Sequence, residues 1–248
     1  MSGSHLSREL FNLVKSIGES KSKQEEDRMI VSEMCSLKSS MSVPAPAAGR
    51  GGRRKALEFL VRVMYCEMLG HDCSFAYIKC VELAASSSLL HKRAAYLCCG
   101  ACLSPNHEFR FMLVNRLQKD LASDSFLDAC VALTALNRLC TPSMVPAVCA
   151  LVEKLLSHPS EFVRKKAVVT MVFLHGLDGG ETVAFGSVLQ HLRRVLCDRD
   201  PAVMGAALCA IERMLPNHAR SFKVSFSNVL YIIYVYVSLC KIVYPVLY

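Results

Sequence analysis

Two cysteines in the first half of the chain have the spacing of a redox or zinc motif. Cys99 and Cys102 form a C-x-x-C pair, with Cys98 before it and His107 after it. A redox centre would need a strand–helix setting and a structural zinc site a second pair of ligands, and the sequence offers neither. Because small apolar thiols pack well between helices, these cysteines are predicted to be reduced packing residues.

Other motifs that could carry chemistry are incomplete. His107-Glu108 lacks the second histidine of H-E-x-x-H, and the glycine pair at 179–180 lacks the lysine of a phosphate-binding loop. Asp198 and Asp200 could be metal ligands, but Asp200 is better explained as a helix cap. The sequence therefore predicts a protein that is not an enzyme, with no catalytic residue, metal or cofactor.

Clusters of basic residues are the remaining candidates for a binding site. The formal charge of +8 permits attraction to an anionic membrane, an acidic protein or nucleic acid, although any one cluster could be ordinary solvated surface. If equivalent repeat positions face one side, the clusters form a stripe for a membrane or a partner protein. Stacking aromatic residues are too few to indicate nucleic acid, which is not expected as a partner. The candidates are Arg53, Arg54, Lys55, Arg62, Lys92, Arg93, Arg164, Lys165 and Lys166.

The elements that position these residues are predicted to be helices. Between Arg62 and Ala85 apolar residues recur at every third or fourth position, interrupted by Gly70 and Asp72. Gly70 can end one helix in the left-handed conformation and Asp72 can accept N–H groups that open the next, so a helical hairpin is expected. Similar segments follow to about residue 214, separated by proline or glycine turns.

A repeat emerges when the second helices of the hairpins are aligned. In each, an aliphatic residue is followed four positions later by a small one, in steps of 37, 36 and 40 residues. This period is typical of armadillo and HEAT arrays, so the predicted fold is an all-α solenoid of such hairpins, preceded by a long N-terminal helix. The aligned pairs are Leu90 and Ala94, Leu127 and Val131, Val163 and Ala167, and Val203 and Ala207.

Composition divides the chain into four parts. Residues 1–41 predict one amphipathic helix, 42–55 a flexible basic linker, 56–221 the repeat array and 222–248 an atypical hydrophobic tail. The uncharged run at 224–240 is at the short limit for a membrane span. The abrupt change in composition suggests a tail read from an unspliced intron, with a membrane anchor as the alternative. Thirteen cysteines without a secretory signal predict a cytoplasmic protein.

Several stretches resemble the N-terminal trunk of adaptin large subunits. The stretches at 13–34 and 196–206 are most similar to the epsilon class of that family. The resemblance covers about residues 8–220 and is expected to end near Lys223. The stretches that carry it are Tyr65–Ala84 with its MLGHD turn, HKRAAYL at 91–97, LVNRLQKDL at 113–121, VRKKAV at 163–168 and LCDRDPAVMGA at 196–206.

The resemblance implies a solenoid that curves around a small sigma subunit, pairs with beta and mu subunits, and is recruited by a GTP-bound Arf-family GTPase. The implied function is cargo sorting in vesicle-mediated protein transport, on the anionic cytoplasmic surface of the trans-Golgi network or endosomes. Arg62 falls on a position where alpha-class relatives bind phosphoinositide. The alternatives are a groove-binding scaffold for another protein or nucleic acid, and a non-productive truncated isoform.

Overall fold

A computed structural model describes residues 8–42 and 50–225. In this part of the chain all regular structure is helical, which confirms the predicted all-α class. Short 3-10 turns at Ser74–Ala76 and Pro142–Met144 precede the fourth and eighth helices. The helices are α1 Arg8–Gly18, α2 Lys23–Ser42, α3 Arg50–Met68, α4 Tyr77–Ala84, α5 Leu89–Cys102, α6 Phe109–Leu121, α7 Phe126–Leu139, α8 Val145–Leu155, α9 Glu161–Leu177, α10 Phe185–Val195 and α11 Pro201–Ser225.

The chain divides into two compact units, residues 1–148 and 149–248, with the boundary inside α8. In the first unit α5 packs against α3, α4 and α7, while α6 packs against α4 and α7. In the second unit α9, α10 and α11 pack against one another. In each unit the second helices of successive helical pairs pack against each other, α5 against α7 and α9 against α11, as they do in armadillo and HEAT-like repeats.

The turn between α3 and α4 has the predicted chemistry. Gly70 has a φ of 90°, the left-handed conformation that glycine adopts without steric cost. Asp72 accepts a hydrogen bond from the backbone N–H of Ser74 at 2.8 Å. The carboxylate of Glu67 accepts the hydroxyl of Tyr77 at 2.8 Å, so the end of α3 is also tied to the start of α4.

Each repeat has a buried alanine at the same position of its second helix. This alanine is the seventh residue of the helix. The predicted register was wrong by one residue in the first two repeats, because Leu90 and Leu127 lie in the first turns of their helices and point to solvent. At the positions equivalent to Val163 and Val203 these two repeats have the polar residues His91 and Asp128, so an alignment on aliphatic residues selected the preceding leucine instead. The buried residues are Ala95, Ala132, Ala167 and Ala207.

The turn that enters each second helix also repeats. The backbone N–H of the residue preceding the helix donates to a side chain two residues earlier, which fixes the direction of the incoming chain. Asp200 in addition accepts the N–H groups of Ala202 and Val203, as predicted for a helix cap. The pairs are Ser88 with Ser86, Ser125 with Ser123, Ser160 with His158, and Asp200 with Asp198.

The N-terminal region differs from the prediction of one long helix, because α1 and α2 are separate. Residues 19–22 break the helix, and the hydroxyl of Ser20 donates to the carbonyl of Ile17 at 2.7 Å. Ser22 accepts the N–H of Glu25 at 3.3 Å, and the Glu25 carboxylate accepts the N–H of Lys21 at 3.1 Å. This exchange is a variant of the S-x-x-E capping box, which starts a new helix at Lys23.

The predicted flexible linker at 42–55 is shorter than expected. Residues 50–55 are the first turns of α3 although two of them are glycines, because Arg53, Arg54 and Lys55 are good helix formers that extend the helix begun by the residues after them. Residues 43–49 of the linker and 226–248 of the tail lie outside the described residues. Within the described part, no helix has both the length and the apolar character needed to cross a bilayer.

Candidate functional site

Lys92, predicted as a surface cation, is 2% exposed and belongs to a buried ionic cluster in the first unit. Its Nζ donates to a carboxylate oxygen of Asp120 at 2.9 Å and to one of Asp128 at 2.8 Å. The hydroxyl of Tyr96 donates to the other Asp120 oxygen at 2.6 Å, and Arg116 also pairs with Asp120. Burial, followed by the Asp120 carboxylate, raises the pKa of Tyr96, which stays protonated. The cluster joins α5 to α6 and α7.

Arg164 is also buried, in the second unit, and does not contribute to a basic surface. Its guanidinium donates to both carboxylate oxygens of Asp198, each at 2.8 Å. It also donates to the backbone carbonyls of His158 at 2.9 Å and Pro159 at 2.8 Å. The hydrogen bonds from Arg164 lower the pKa of Asp198. This arrangement links α9 to the turn before α11.

Lys92 and Arg164 occupy the same place in their repeats, four residues after Ser88 and Ser160, the serines that precede α5 and α9. Each reaches a carboxylate that follows it in the chain. Both were predicted to lie on the surface because lysine and arginine are rarely buried. The sequence does contain one sign of their burial, the matched position of two basic residues that each have an aspartate 34 or 36 residues later.

Arg62 is neutralised by three carboxylates. Its guanidinium pairs with Glu33 on α2, with Glu9 on α1 at 3.0 Å and with Glu58 on α3 at 4.0 Å. The hydrogen bond to Glu33 is the main cause of a raised Arg62 pKa. A phosphoinositide at Arg62 would have to displace these carboxylates, so the structure gives no support to the expected lipid-binding role of this residue.

The other basic candidates occupy separate positions in the two units. In the first unit Lys55 and Arg93 are exposed, and in the second Lys165 is exposed and Lys166 half-buried. Arg53 and Arg54 lie in the first turns of α3, but their side chains are outside the described part. The single stripe predicted along the array is thus reduced, since its buried members hold the repeats together.

The cysteines of the C-x-x-C pair are buried, as predicted. The Sγ atom of Cys98 lies 3.4 Å from that of Cys80 and 3.7 Å from that of Cys102. Burial raises the pKa of Cys99 to about 12, so this thiol stays protonated at neutral pH. No group of three or more histidine, cysteine or acidic side chains suited to a metal occurs among the described residues. These thiols pack α4 against α5.

An exposed apolar surface lies across the first turns of α5 and α7, which pack side by side in the first unit. Leu90 on α5 is 65% exposed, and Phe126 and Leu127 on α7 are also exposed. Arg93, one turn along α5 from Leu90, has no carboxylate partner in the part of the chain that the structure describes. We call Leu90, Arg93, Phe126 and Leu127 the α5–α7 face. This face was not predicted from the sequence, because Leu90 and Leu127 were aligned with the aliphatic residues Val163 and Val203 of the later repeats.

The composition of the α5–α7 face fits protein binding. Clustered exposed apolar side chains are unfavourable in water and typically mark a surface that another protein covers. The guanidinium of Arg93 can pair with a carboxylate of such a partner. Gly100 allows α7 to approach α5 closely, because a Cβ there would lie 3.2 Å from the Cβ of Arg138. The face is thus held on two tightly packed helices.

Comparisons with known proteins point to one family. Residues 26–241 match the adaptin N terminal region. The chain is 41% identical over 217 residues to the AP-4 complex subunit epsilon of Arabidopsis thaliana, covering 88% of this chain and 22% of that protein. It is 37% identical over 221 residues to the human AP-4 complex subunit epsilon-1, covering 88% of this chain and 18% of that protein. The predicted likeness to epsilon subunits is confirmed.

Two further findings concern the extent of the likeness. The chain spans about a fifth of the length of these relatives. The family match continues to residue 241, so the resemblance does not end near Lys223 as expected.

A solved-structure comparison supports the fold. The similar chain is part of a homology model of the full-length AP-3 complex in an intermediate open conformation. The TM-score is 0.62 at 23% identity, over 73% of this chain and 31% of that chain. At this identity the likeness concerns the helical architecture.

Proposed function

The chain belongs to the adaptin family, and from this membership we propose that it acts as the N-terminal trunk portion of a large subunit in a heterotetrameric adaptor complex. Its role is cargo sorting in vesicle-mediated protein transport, carried out by binding other proteins and without catalysis. The observation that carries the proposal is the family match over residues 26–241. The likeness to epsilon subunits over 88% of the chain supports the same role.

The proposed partners are the sigma, beta and mu subunits of the complex. We assign the α5–α7 face to the sigma subunit, because this face is apolar, exposed and held on two packed helices. Arg93 adds a positive charge at its edge, which favours a partner with a carboxylate opposite it. Small subunits that dock here would cover Leu90, Phe126 and Leu127.

The proposed site of action is the cytoplasmic surface of the trans-Golgi network or endosomes. We further propose that a GTP-bound Arf-family GTPase recruits the chain to this surface. The exposed candidates Lys55 in the first unit and Lys165 in the second are each able to contribute about 1 kcal/mol near an anionic membrane. Salt weakens such contacts, so membrane recruitment is expected to be salt-sensitive.

Co-purification with the sigma, beta and mu subunits and a GTP-locked Arf protein tests the proposal. A Leu90→Asp/Leu127→Asp variant is expected to lose sigma, because a carboxylate buried without a partner opposes binding. Phe111→Asp/Met112→Asp is the matched control, since these exposed apolar residues lie on α6. Equal loss in both variants would refute the assignment of the face. A folded chain that retains no subunit would refute the adaptor role and favour a groove-binding scaffold.

A further inference from the structure

Helix α1 separates its apolar and polar residues onto two sides. At about 100° per residue, the apolar side chains cover an arc of about 160°, and the polar ones occupy the remainder. This is the pattern of a helix that lies at the boundary between water and an apolar phase. The apolar residues are Leu10, Phe11, Leu13, Val14 and Ile17, and the polar ones are Arg8, Glu9, Asn12, Lys15 and Ser16.

The fold uses only part of this apolar arc. Leu10 is buried, while Leu13 and Ile17 are half-buried. Phe11 is 57% exposed and Val14 is 44% exposed, on the edge of the arc that faces away from the protein. An aromatic and a branched aliphatic side chain thus remain in water although the helix is docked.

The attachment of α1 is also weak. Its ionic contact to α3 is the pair between Glu9 and Arg62, at 3.0 Å, and the Glu9 side chain is largely exposed. Arg62 keeps Glu33 and Glu58 as partners when Glu9 is removed. Exposed ion pairs add little stability, and the break at 19–22 separates α1 from α2. The fold can therefore release α1 without leaving the guanidinium of Arg62 unpaired.

Helix α3, which α1 contacts, begins with a positively charged segment. The first turns of α3 carry four basic residues before the first acidic residue, Glu58. Lys55 is exposed and lies about 10 Å along the helix axis from Arg62, the residue that contacts α1. A short apolar helix binds a membrane weakly by itself, and an adjacent basic cluster makes such binding effective on anionic lipid. The basic residues are Arg50, Arg53, Arg54 and Lys55.

We propose that α1 is a detachable interfacial helix that leaves α3 and lies in the surface of an anionic bilayer. Phe11 and Val14 enter the acyl boundary first, and Leu10 follows when the Glu9–Arg62 pair opens. The basic start of α3 holds the lipid headgroups next to it. This step uses a lipid surface alone and does not depend on assembly with other subunits, so it stands or falls separately from the adaptor role.

Tryptophan fluorescence tests the insertion directly, because the chain has no native tryptophan. In the full chain, Phe11→Trp places a reporter on the exposed edge of α1. Its emission is expected to shift to shorter wavelength with vesicles of phosphatidylcholine and phosphatidylserine, and to stay unchanged with phosphatidylcholine alone. Val31→Trp on α2 is the matched control, since Val31 is also exposed, and no shift is expected there.

Vesicle flotation of two further variants separates insertion from other contacts. Phe11→Asp should weaken binding about tenfold, since placing a carboxylate instead of an aromatic ring in the acyl boundary opposes insertion by at least that factor. Glu9→Gln should strengthen it about threefold by releasing α1 from Arg62. Val31→Asp serves as the control, and melting curves verify that each variant folds.

Three results would overturn the proposal. The first is vesicle binding with no fluorescence shift at Phe11→Trp, which would leave only the basic residues in contact with lipid. The second is no response to Glu9→Gln, which would mean that α1 stays docked. The third is a fluorescence shift that requires another adaptor subunit instead of lipid, which would make the exposed edge of α1 a protein contact.

Discussion

Replacing Lys92 with methionine tests whether this lysine is structural. Lys92→Met keeps the side-chain length and removes the ammonium that donates to Asp120 and Asp128. Asp120 is buried and loses one of the three groups that donate hydrogen bonds to its carboxylate, while Tyr96 and Arg116 remain. Removing one member of a buried ion pair typically destabilises a protein by about 3–5 kcal/mol. We expect the lower end of that range, because Asp128 is partly exposed and can be hydrated.

Urea unfolding followed by circular dichroism measures this loss. For a chain of this size, about 3 kcal/mol corresponds to a fall in melting temperature of roughly 6–12 °C. Arg93→Met is the matched control, because Arg93 is the next residue of α5 and is exposed. Its change in unfolding free energy is expected to stay within about 0.5 kcal/mol.

The pair of variants distinguishes a structural lysine from a surface cation. If Lys92→Met and Arg93→Met have equal and small effects on unfolding, the buried cluster does not stabilise the fold and the reasoning fails. If Lys92→Met folds normally and loses vesicle binding, the sequence interpretation of Lys92 as a membrane-binding residue is restored. Adding Asp128→Asn to Lys92→Met should recover part of the loss, since it removes a charge that has lost its partner.

Two other substitutions test single features of the second unit. Arg164 lowers the pKa of Asp198, so the stability that this pair provides is present above the unfolded pKa near 4 and is lost as pH falls through the folded value. Arg164→Met should therefore lower the free energy of unfolding by about 2–4 kcal/mol at neutral pH and weaken its dependence on pH below about pH 5. Urea unfolding that keeps the same pH dependence in the variant would contradict this. Gly180→Ala should cost about 1–3 kcal/mol, because Gly180 has a φ of 88° and a Cβ would lie 3.0 Å from the His175 ring. Gly176→Ala in α9 is the control, because a Cβ there would have no other atom within 4 Å, and it should be neutral or stabilising. Equal changes in melting temperature for the two variants would contradict the expected strain at Gly180.

Local features were predictable from the sequence, and contacts between distant residues were not. The Gly70 turn and the Asp200 cap depend on neighbouring residues, and both have the predicted chemistry. The capping box at Ser22 and Glu25 was equally local and could have revealed the break between α1 and α2. The repeat was visible, but its register was wrong by one residue in the two repeats where the equivalent position is polar, at His91 and Asp128.

The burial of Lys92 and Arg164 and the exposure of the α5–α7 face were less predictable. Lys92 and Arg164 are of residue types that normally remain in water, and their partners lie 28 to 36 residues away in the chain. One sequence gives no sign that these residues meet, because burial of a lysine or arginine follows from packing of whole helices. The α5–α7 face was missed for the complementary reason, since exposed leucines resemble core residues in a periodic pattern.

In the buried ion pairs of Lys92 and Arg164 the aspartate comes later in the chain than the basic residue, and this order has a consequence for synthesis on the ribosome. Lys92 finds Asp128 36 residues after it, and Arg164 finds Asp198 34 residues after it. Because translation is vectorial, each second helix leaves the exit tunnel before its compensating aspartate does. A buried cation without that carboxylate is costly, so a hairpin closes its core only when the following hairpin has emerged. The nascent chain is therefore expected to become ordered in overlapping pairs of repeats, one repeat behind the part of the chain that has emerged.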